Sequence, residues 1–458
     1  MAAKPNTALY EDLEKRVRSA LESQDQTKLR ALLVKEHPAN IAGVMDRLNH
    51  VQRHGLFDML SLNKKAKVLD EMSITATQQV LDRLSPREIG ALLDLMPMDE
   101  AAEILYNDVP NRKDELLAAM SPAQAAEVQR LLEYPPESAG RMMTEKFARL
   151  KKEMTADDAL AYVRKAKKNV ETFTDLYVLE EDGRLIGVVS LRDLVTASPK
   201  QRVDKLMNTQ LVTITPEKDR EEVAYLVSHY DYLAIPVVTS DGKMLGIIPV
   251  DDVIDVLVAE NTEDILKFGG MEGGVTIDQP YFTVPIPTVI RKRVGWLLLL
   301  FLAETFTGTV LRHFEGELAK VVALSFFIPL LIGTGGNTGA QTVSTLIRGL
   351  ALGEVKFSDI WKVILREAIS GLLIGVLLGV IAFGRSLLWG STTQLALTVG
   401  LTILAICTWA NTIGSLIPLL AHKLKIDPAV VSAPLITTLV DATGLAIYML
   451  IAKAILGL

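Results

Sequence analysis

The sequence predicts a multidomain membrane protein with an α-helical superhelix as N domain, a duplicated α/β unit, a long acidic connecting helix and a five-helix transmembrane domain. Three observations predict this. The chain is densely charged up to about Asp278 and consists mainly of long apolar stretches from Val294 onward. The stretch 182–193 is echoed at 241–252. Before Glu133, Leu, Ile and Met recur at helical spacing with no convincing strand.

The N domain, residues 1–134, reads as short helices. Ser85-Pro86-Arg87-Glu88 and Ser121-Pro122-Ala123-Gln124 are helix starts, with Ser as N-cap, Pro in the first turn and Glu or Gln three residues on. Punctuation this regular favours a superhelix over an irregular bundle.

After Tyr134-Pro135-Pro136 the texture alternates between helix and strand, over residues 135–250. Asp182-Gly183-Arg184-Leu185-Ile186-Gly187-Val188-Val189-Ser190-Leu191-Arg192-Asp193 matches Asp241-Gly242-Lys243-Met244-Leu245-Gly246-Ile247-Ile248-Pro249-Val250-Asp251-Asp252. Each copy gives a hairpin turn, a buried strand and a helix start. Arg141-Met142-Met143-Thr144 and Lys205-Leu206-Met207-Asn208 repeat upstream at similar spacing. Such a duplication resembles a pair of CBS motifs, which implies a regulatory module for nucleotides or ions.

An acidic helix and linker follow over 251–290, with the helix ending at Gly269-Gly270. Five apolar spans are predicted in 291–458, at about 294–312, 319–345, 360–384, 395–421 and 430–456, each long enough to cross roughly 30 Å of hydrocarbon. All four Trp lie in this half, three of them near ends of apolar runs, as in an interfacial belt. Arg291, Lys292, Arg293, Arg348, Lys356, Lys362, Lys423 and Lys425 mark one side of the membrane, whereas Arg312, Lys320 and Arg385 mark the other. The richer side is expected in the cytoplasm, which puts the N-terminal half inside and the C-terminus outside. No apolar signal-peptide core opens the chain, in keeping with a cytoplasmic N-terminal half.

Composition narrows the chemistry. A net charge of −7 and the lack of a basic, aromatic stripe argue against nucleic acid as partner. The single Cys407 permits no disulfide or multi-thiolate metal site within one chain, and the six His form no ligand cluster, so a bound metal is expected on oxygen. There is no phosphate loop, nucleophile motif or catalytic His cluster, so an enzyme is not expected.

Asp441 is the leading site candidate. A carboxylate deep in the last span, in Pro434-Leu435-Ile436-Thr437-Thr438-Leu439-Val440-Asp441-Ala442-Thr443-Gly444, should face a water path or a partner. Thr437 shares its helix face, and Pro434 is expected to free the carbonyl of Val430. Such an oxygen environment suits Mg2+ that keeps most of its water. The alternative is an acid paired with Arg366 or Lys453. In the second span, Gly333-Thr334-Gly335-Gly336-Asn337-Thr338-Gly339-Ala340-Gln341 reads as a pore-lining or broken segment, with a plain packing seam as the alternative. Glu304 and Glu367 are weaker candidates, Glu367 with Lys362 as a possible partner.

Gly-Gly-Asn-Thr-Gly-Ala-Gln in the second span and Pro-Leu-Ile-Thr-Thr-Leu-Val-Asp-Ala-Thr-Gly in the fifth resemble the MgtE family of magnesium channels, and the resemblance covers nearly the whole chain. It implies a bacterial inner-membrane homodimer with a pore on its two-fold axis, and an acidic connecting helix acting as a plug. It makes Asp441 the acid that holds hydrated Mg2+ and Asp427 an acid at the cytoplasmic mouth. It further implies that Asp219, Glu221, Asp231, Asp252, Asp255, Glu260 and Glu263 hold regulatory Mg2+ that keeps the channel shut; Asp94, Asp99 and Glu103 are possible N-domain contributors. Without the resemblance, this acidic stretch reads as an ordinary solvated face. ATP is possible in the family: Ser190 and Asp193 stand where a CBS motif can meet ribose, although the second copy has Pro249 in place of the hydroxyl. A coupled divalent-cation secondary transporter is the alternative function, but few membrane carboxylates are present to relay a coupling ion.

Overall fold

The structure, a computed structural model, describes residues 7–23, 25–107, 109–166, 170–271 and 281–458. Residues 272–280 of the predicted linker lie outside them. The described chain falls into two compact units, divided between Glu260 and Asn261.

In the first unit, ten short α-helices run from Thr7–Glu22 to Pro122–Glu133 among the described residues. Their stacking has a repeated fastener. The carboxylate of Asp46, a helix C-cap, accepts from Ser73 N and Oγ, and that of Asp94 accepts from Ser121 N and Oγ, 27 residues on in both cases. Ser85 forms the expected capping box with Glu88. Ser121 stands at the N-cap position but makes no side-chain cap bond, its hydroxyl lying between Asp94 Oδ1 at 3.2 Å and Gln124 Oε1 at 2.7 Å.

The duplicated unit forms two small sheets. β1 (Phe147–Leu150) runs parallel to β2 (Thr172–Leu179), which pairs antiparallel with β3 (Leu185–Ser190); β4 (Ala234–Val238) pairs antiparallel with β5 (Met244–Pro249). The upstream repeat motifs are exchanged between copies: Thr144 bridges Ile247 of β5, and Asn208 bridges Val188 of β3. This explains the repeated glycines. A Cβ on Gly187 would sit 2.6 Å from Met207 Sδ, and one on Gly246 would sit 2.7 Å from the Thr144 carbonyl. One continuous apolar core joins the N-terminal helices to the second repeat, from Leu13 to Val253.

The acidic helix spans Val250–Phe268. Among the described residues, five helices long and apolar enough to cross a membrane follow, at Ile286–His313, Val322–Ala351, Phe357–Leu388, Thr393–Lys423 and Ala433–Leu456. The first, third and fourth overrun the predicted spans at both ends and the second at its C-terminal end, because their polar ends continue as helix; the second and fifth begin three residues later than predicted. Arg291, Lys292 and Arg293 lie inside the first, which starts after Pro285, and Arg348 lies in the last turn of the second, where a cation offsets the helix dipole. The third and fourth helices meet through small residues: Cβ atoms on Gly371, Gly375 and Gly379 would clash with backbone at Cys407, Leu404 and Gly400.

Candidate functional site

The last membrane helix starts with Ser432 as N-cap, its Oγ accepting from Leu435 N at 3.3 Å, and with Pro434 in the first turn. A proline there removes no helical bond. The expected free carbonyl is therefore absent: Val430 belongs to a separate 3-10 turn, and its carbonyl accepts from Ser432 N at 2.7 Å. Asp441 lies about 12 Å along the axis from the helix start, by the helical rise. Thr437 and Thr438 both donate to the Pro434 carbonyl, at 2.8 and 3.0 Å. A hydroxyl that spends its proton inward keeps its lone pairs for a cation or its water. Of the two bases considered as partners for Asp441, Lys453 instead pairs with Glu317 at 3.2 Å.

The second membrane helix is continuous over Ile328–Ala351, so the expected break does not occur. Its glycines act by close approach. A Cβ on Gly336 would lie 3.0 Å from Thr437 Cγ2 and 3.7 Å from Asp441 Oδ1, and one on Gly335 would lie 2.5 Å from Ile406 and 2.8 Å from Val440. The Gly-Gly pair thus seats this helix directly against the Thr437–Asp441 face. Beside it, Asn337, Gln341, Ser344 and Arg348 fall at spacings of four, three and four, and all are exposed. One side of a membrane helix is therefore polar and uncovered. Elsewhere, Lys362 pairs with Asp359 at 3.0 Å and not with Glu367, whose backbone carbonyl accepts from Asn411 at 3.3 Å.

In the first unit, the acidic residues take three different positions. Asp219 caps the N-terminus of the helix Arg220–Tyr230, accepting from Glu221 N, and Asp231 ends the same helix in a left-handed conformation. They stand roughly 18 Å apart by helical rise, so Asp219 and Glu221 do not converge with Asp231 within one chain. Glu260 is held by Arg220, which also reaches Glu137 at 3.1 Å. The acidic helix has more basic compensation than its sequence suggests, because Arg220 lies 40 residues away.

Asp252 and Asp255 enter a seam of acids instead. Burial first, then the charges of Asp99, Asp251, Glu171 and Asp255, push the Asp252 carboxyl up to about 8. Burial raises Asp99 to about 7, aided by Glu171 and Asp70, and Asp70 to about 6, aided by Glu71, Asp255 and Glu171. Burial and the charges of Asp70, Asp99, Glu103 and Asp252 hold Glu100 well above the usual range. One oxygen each of Asp70 and Asp99 is buried without a hydrogen-bond partner. Asp70, Glu100 and Glu171 escaped sequence reading, since they come from separate segments. Among the described residues no three acids, His or Cys converge closely enough to hold a bare metal ion. Of the other N-domain candidates, Asp94 serves the Ser121 fastener and Glu103 accepts from Asn107 at 3.2 Å.

In the second unit, Glu263 and Asp427 meet on Lys267, at 2.7 and 2.6 Å. Burial works against the lysine's charge, but hydrogen bonds to Asp427 and Glu263 hold its ammonium well above the ordinary range. In the duplicated unit, the proposed ribose-binding pair is engaged locally: Ser190 Oγ accepts from Asp193 N at 3.1 Å and donates to Asp193 Oδ2 at 2.6 Å.

Comparisons with known proteins agree with this architecture. Residues 328–451 match a family model described as a divalent cation transporter, MgtE. Residues 36–137 match the MgtE intracellular N domain, and 139–200 and 203–259 match CBS domains. The chain is 36% identical over 451 residues to the magnesium transporter MgtE of Thermus thermophilus, covering 98% of this chain and 99% of that one. It is 36% identical over 362 residues to the magnesium transporter MgtE of Bacillus subtilis, covering 79% of each. Among solved structures, the cytosolic domain of the Mg2+ channel MgtE in complex with ATP aligns with a TM-score of 0.51 at 34% identity, covering 53% of this chain and 99% of that one.

Proposed function

Because the chain belongs to the MgtE family of divalent cation transporters, with Mg2+ as its transported ion and a CBS pair as regulatory domain, we propose that it is a passive Mg2+ channel that intracellular Mg2+ closes. The carrying observation is the uncovered polar face of the second membrane helix, packed beside Asp441. Asn, Gln, Ser and Arg on one face do not belong in lipid, so the face requires water or a second copy of the chain. A homodimer pairing two such faces encloses a polar path, with Asp441 attracting the hydrated ion and Asn337 and Thr437 offering oxygens to its water. The predicted orientation, N-terminal half in the cytoplasm and C-terminus outside in a bacterial inner membrane, places Asp427 at the inner mouth.

Closure follows from charge. At high Mg2+ the Asp99–Asp252–Asp255 seam is bridged by cations and stays together; at low Mg2+ its acids repel. The acidic helix runs without a break from the seam to Phe268 and is the route for that change. Asp219, Glu221 and Asp231, at opposite helix ends, act as separate ion sites.

Ion-flux coupling separates this reading from a secondary transporter. In proteoliposomes with a Mg2+ gradient alone, Mg2+ influx is expected to proceed unchanged when proton and sodium gradients are collapsed. Influx that stops with either gradient rejects the channel.

A further inference from the structure

The end of the acidic helix is fastened by a lysine shared between two carboxylates. Lys267 Nζ donates to Glu263 Oε1, one turn earlier, and to Asp427 Oδ2 in the loop before the last membrane helix. The three side chains are 22, 25 and 38% exposed, so solvent screens them only in part. Asp427 is fixed independently, because its Oδ1 accepts from Ala429 N at 2.8 Å. Just beyond, Met271 N donates to the Leu266 carbonyl and Gly270 N to that of Lys267, both at 2.9 Å, with Gly270 at φ +72°. This closure needs a left-handed residue. A Cβ there would also lie 2.6 Å from Trp296 Cδ1, and Trp296 Nε1 donates to Ser432 Oγ at 3.1 Å. Ser432 caps the helix that carries Asp441.

We infer that Lys267 is a positioning residue, a tethered cation that anchors residues 261–271 to the pore domain whether or not Mg2+ is bound. An ammonium between Glu263 and Asp427 cancels the repulsion that metal loss would otherwise create at this end of the helix. The part that loosens when Mg2+ is withdrawn then lies upstream, around Asp252 and Asp255, and the boundary between the compact units at Glu260/Asn261 marks where anchored helix begins. The inference rests on the Mg2+-gated reading for its role in closure; the anchor itself can be tested separately.

The experiment is limited proteolysis of the full-length chain in nanodiscs, in EDTA and in millimolar Mg2+, mapping cuts at 250–260 and 261–271, with Mg2+ flux measured in liposomes. The wild type in EDTA should be cut upstream of 261 but protected at 261–271. Lys267→Gln should lose the second protection in EDTA and regain it with Mg2+, and its half-closing Mg2+ concentration should rise on the order of tenfold, the equivalent of one charge-assisted hydrogen bond. Lys267→Arg should behave as the wild type. Equal protection of Lys267→Gln and wild type in EDTA overturns the anchor, as does failure of the Arg variant to restore it. Should Mg2+ leave the cuts at 250–260 unchanged while Lys267→Gln still loses protection, the anchor stands and the gating reading falls.

Discussion

Asp441→Ala and Asp441→Asn are both expected to abolish Mg2+ conduction while leaving the protein folded in the membrane. A divalent ion held at about 5 Å from one carboxylate gains roughly 2 to 7 kcal/mol between the dielectric of water and that of a protein surface, a loss of tenfold or more in occupancy when the charge is removed. The Asn variant keeps the shape that packs against Gly336, so it isolates charge from packing. Mg2+ uptake into cells lacking other importers measures the effect, with size-exclusion profiles as the folding control. Uptake at wild-type rates in the Asn variant would mean that Asp441 does not attract the ion. Asp441→Glu should retain part of the flux, because it keeps the charge and displaces it by one methylene.

The second large effect lies in the acidic seam. Asp252, Asp99 and Asp70 have native values of about 8, 7 and 6, all above the ordinary carboxylate value. The native state therefore holds more protons than the unfolded state between about pH 4 and pH 8, and its stability must fall as pH rises through that window. A carboxyl that titrates one pH unit higher in the native chain than in the unfolded one costs about 1.4 kcal/mol of stability once ionised. Because the three acids share one seam and repel one another, their costs do not simply add. A combined loss of about 3 kcal/mol in EDTA would lower the melting point of the N-terminal half by roughly 10 °C between pH 5.5 and pH 8.5. Millimolar Mg2+ should remove most of that difference, since cations replace the protons. Asp252→Asn should flatten the pH profile in EDTA and weaken the response to Mg2+. Calorimetry of the full-length protein reads all four conditions. A melting point that rises with pH in EDTA would have the wrong sign for a seam of repelling acids.

Both effects bear on what the sequence makes legible. Asp441 stands out because a lone carboxylate in an apolar run has few explanations, and the duplicated unit stands out because its Asp-Gly turns and glycines recur together. The Gly-rich segment of the second membrane helix misleads as a break: its glycines serve close approach to Thr437, Val440 and Ile406, which only packing reveals. Pro434 misleads similarly, since its effect depends on whether it opens a helix or interrupts one. The seam is scattered over Asp70, Asp99, Glu100, Glu171 and Asp252, and apart from the adjacent Asp99 and Glu100 nothing in their local sequence draws them together. Lys267 reads as an ordinary charge until Asp427, 160 residues away, is seen beside it.

In the proposed mechanism one ion both passes the pore and shuts it. Mg2+ currents through the purified chain in a planar bilayer, recorded while Mg2+ on the side bearing the N-terminal half is stepped from micromolar to about ten millimolar, test it most directly. Open, Mg2+-carrying events are expected at the low end, with an open probability that falls as Mg2+ rises on that side. Open probability independent of Mg2+ on that side would contradict it.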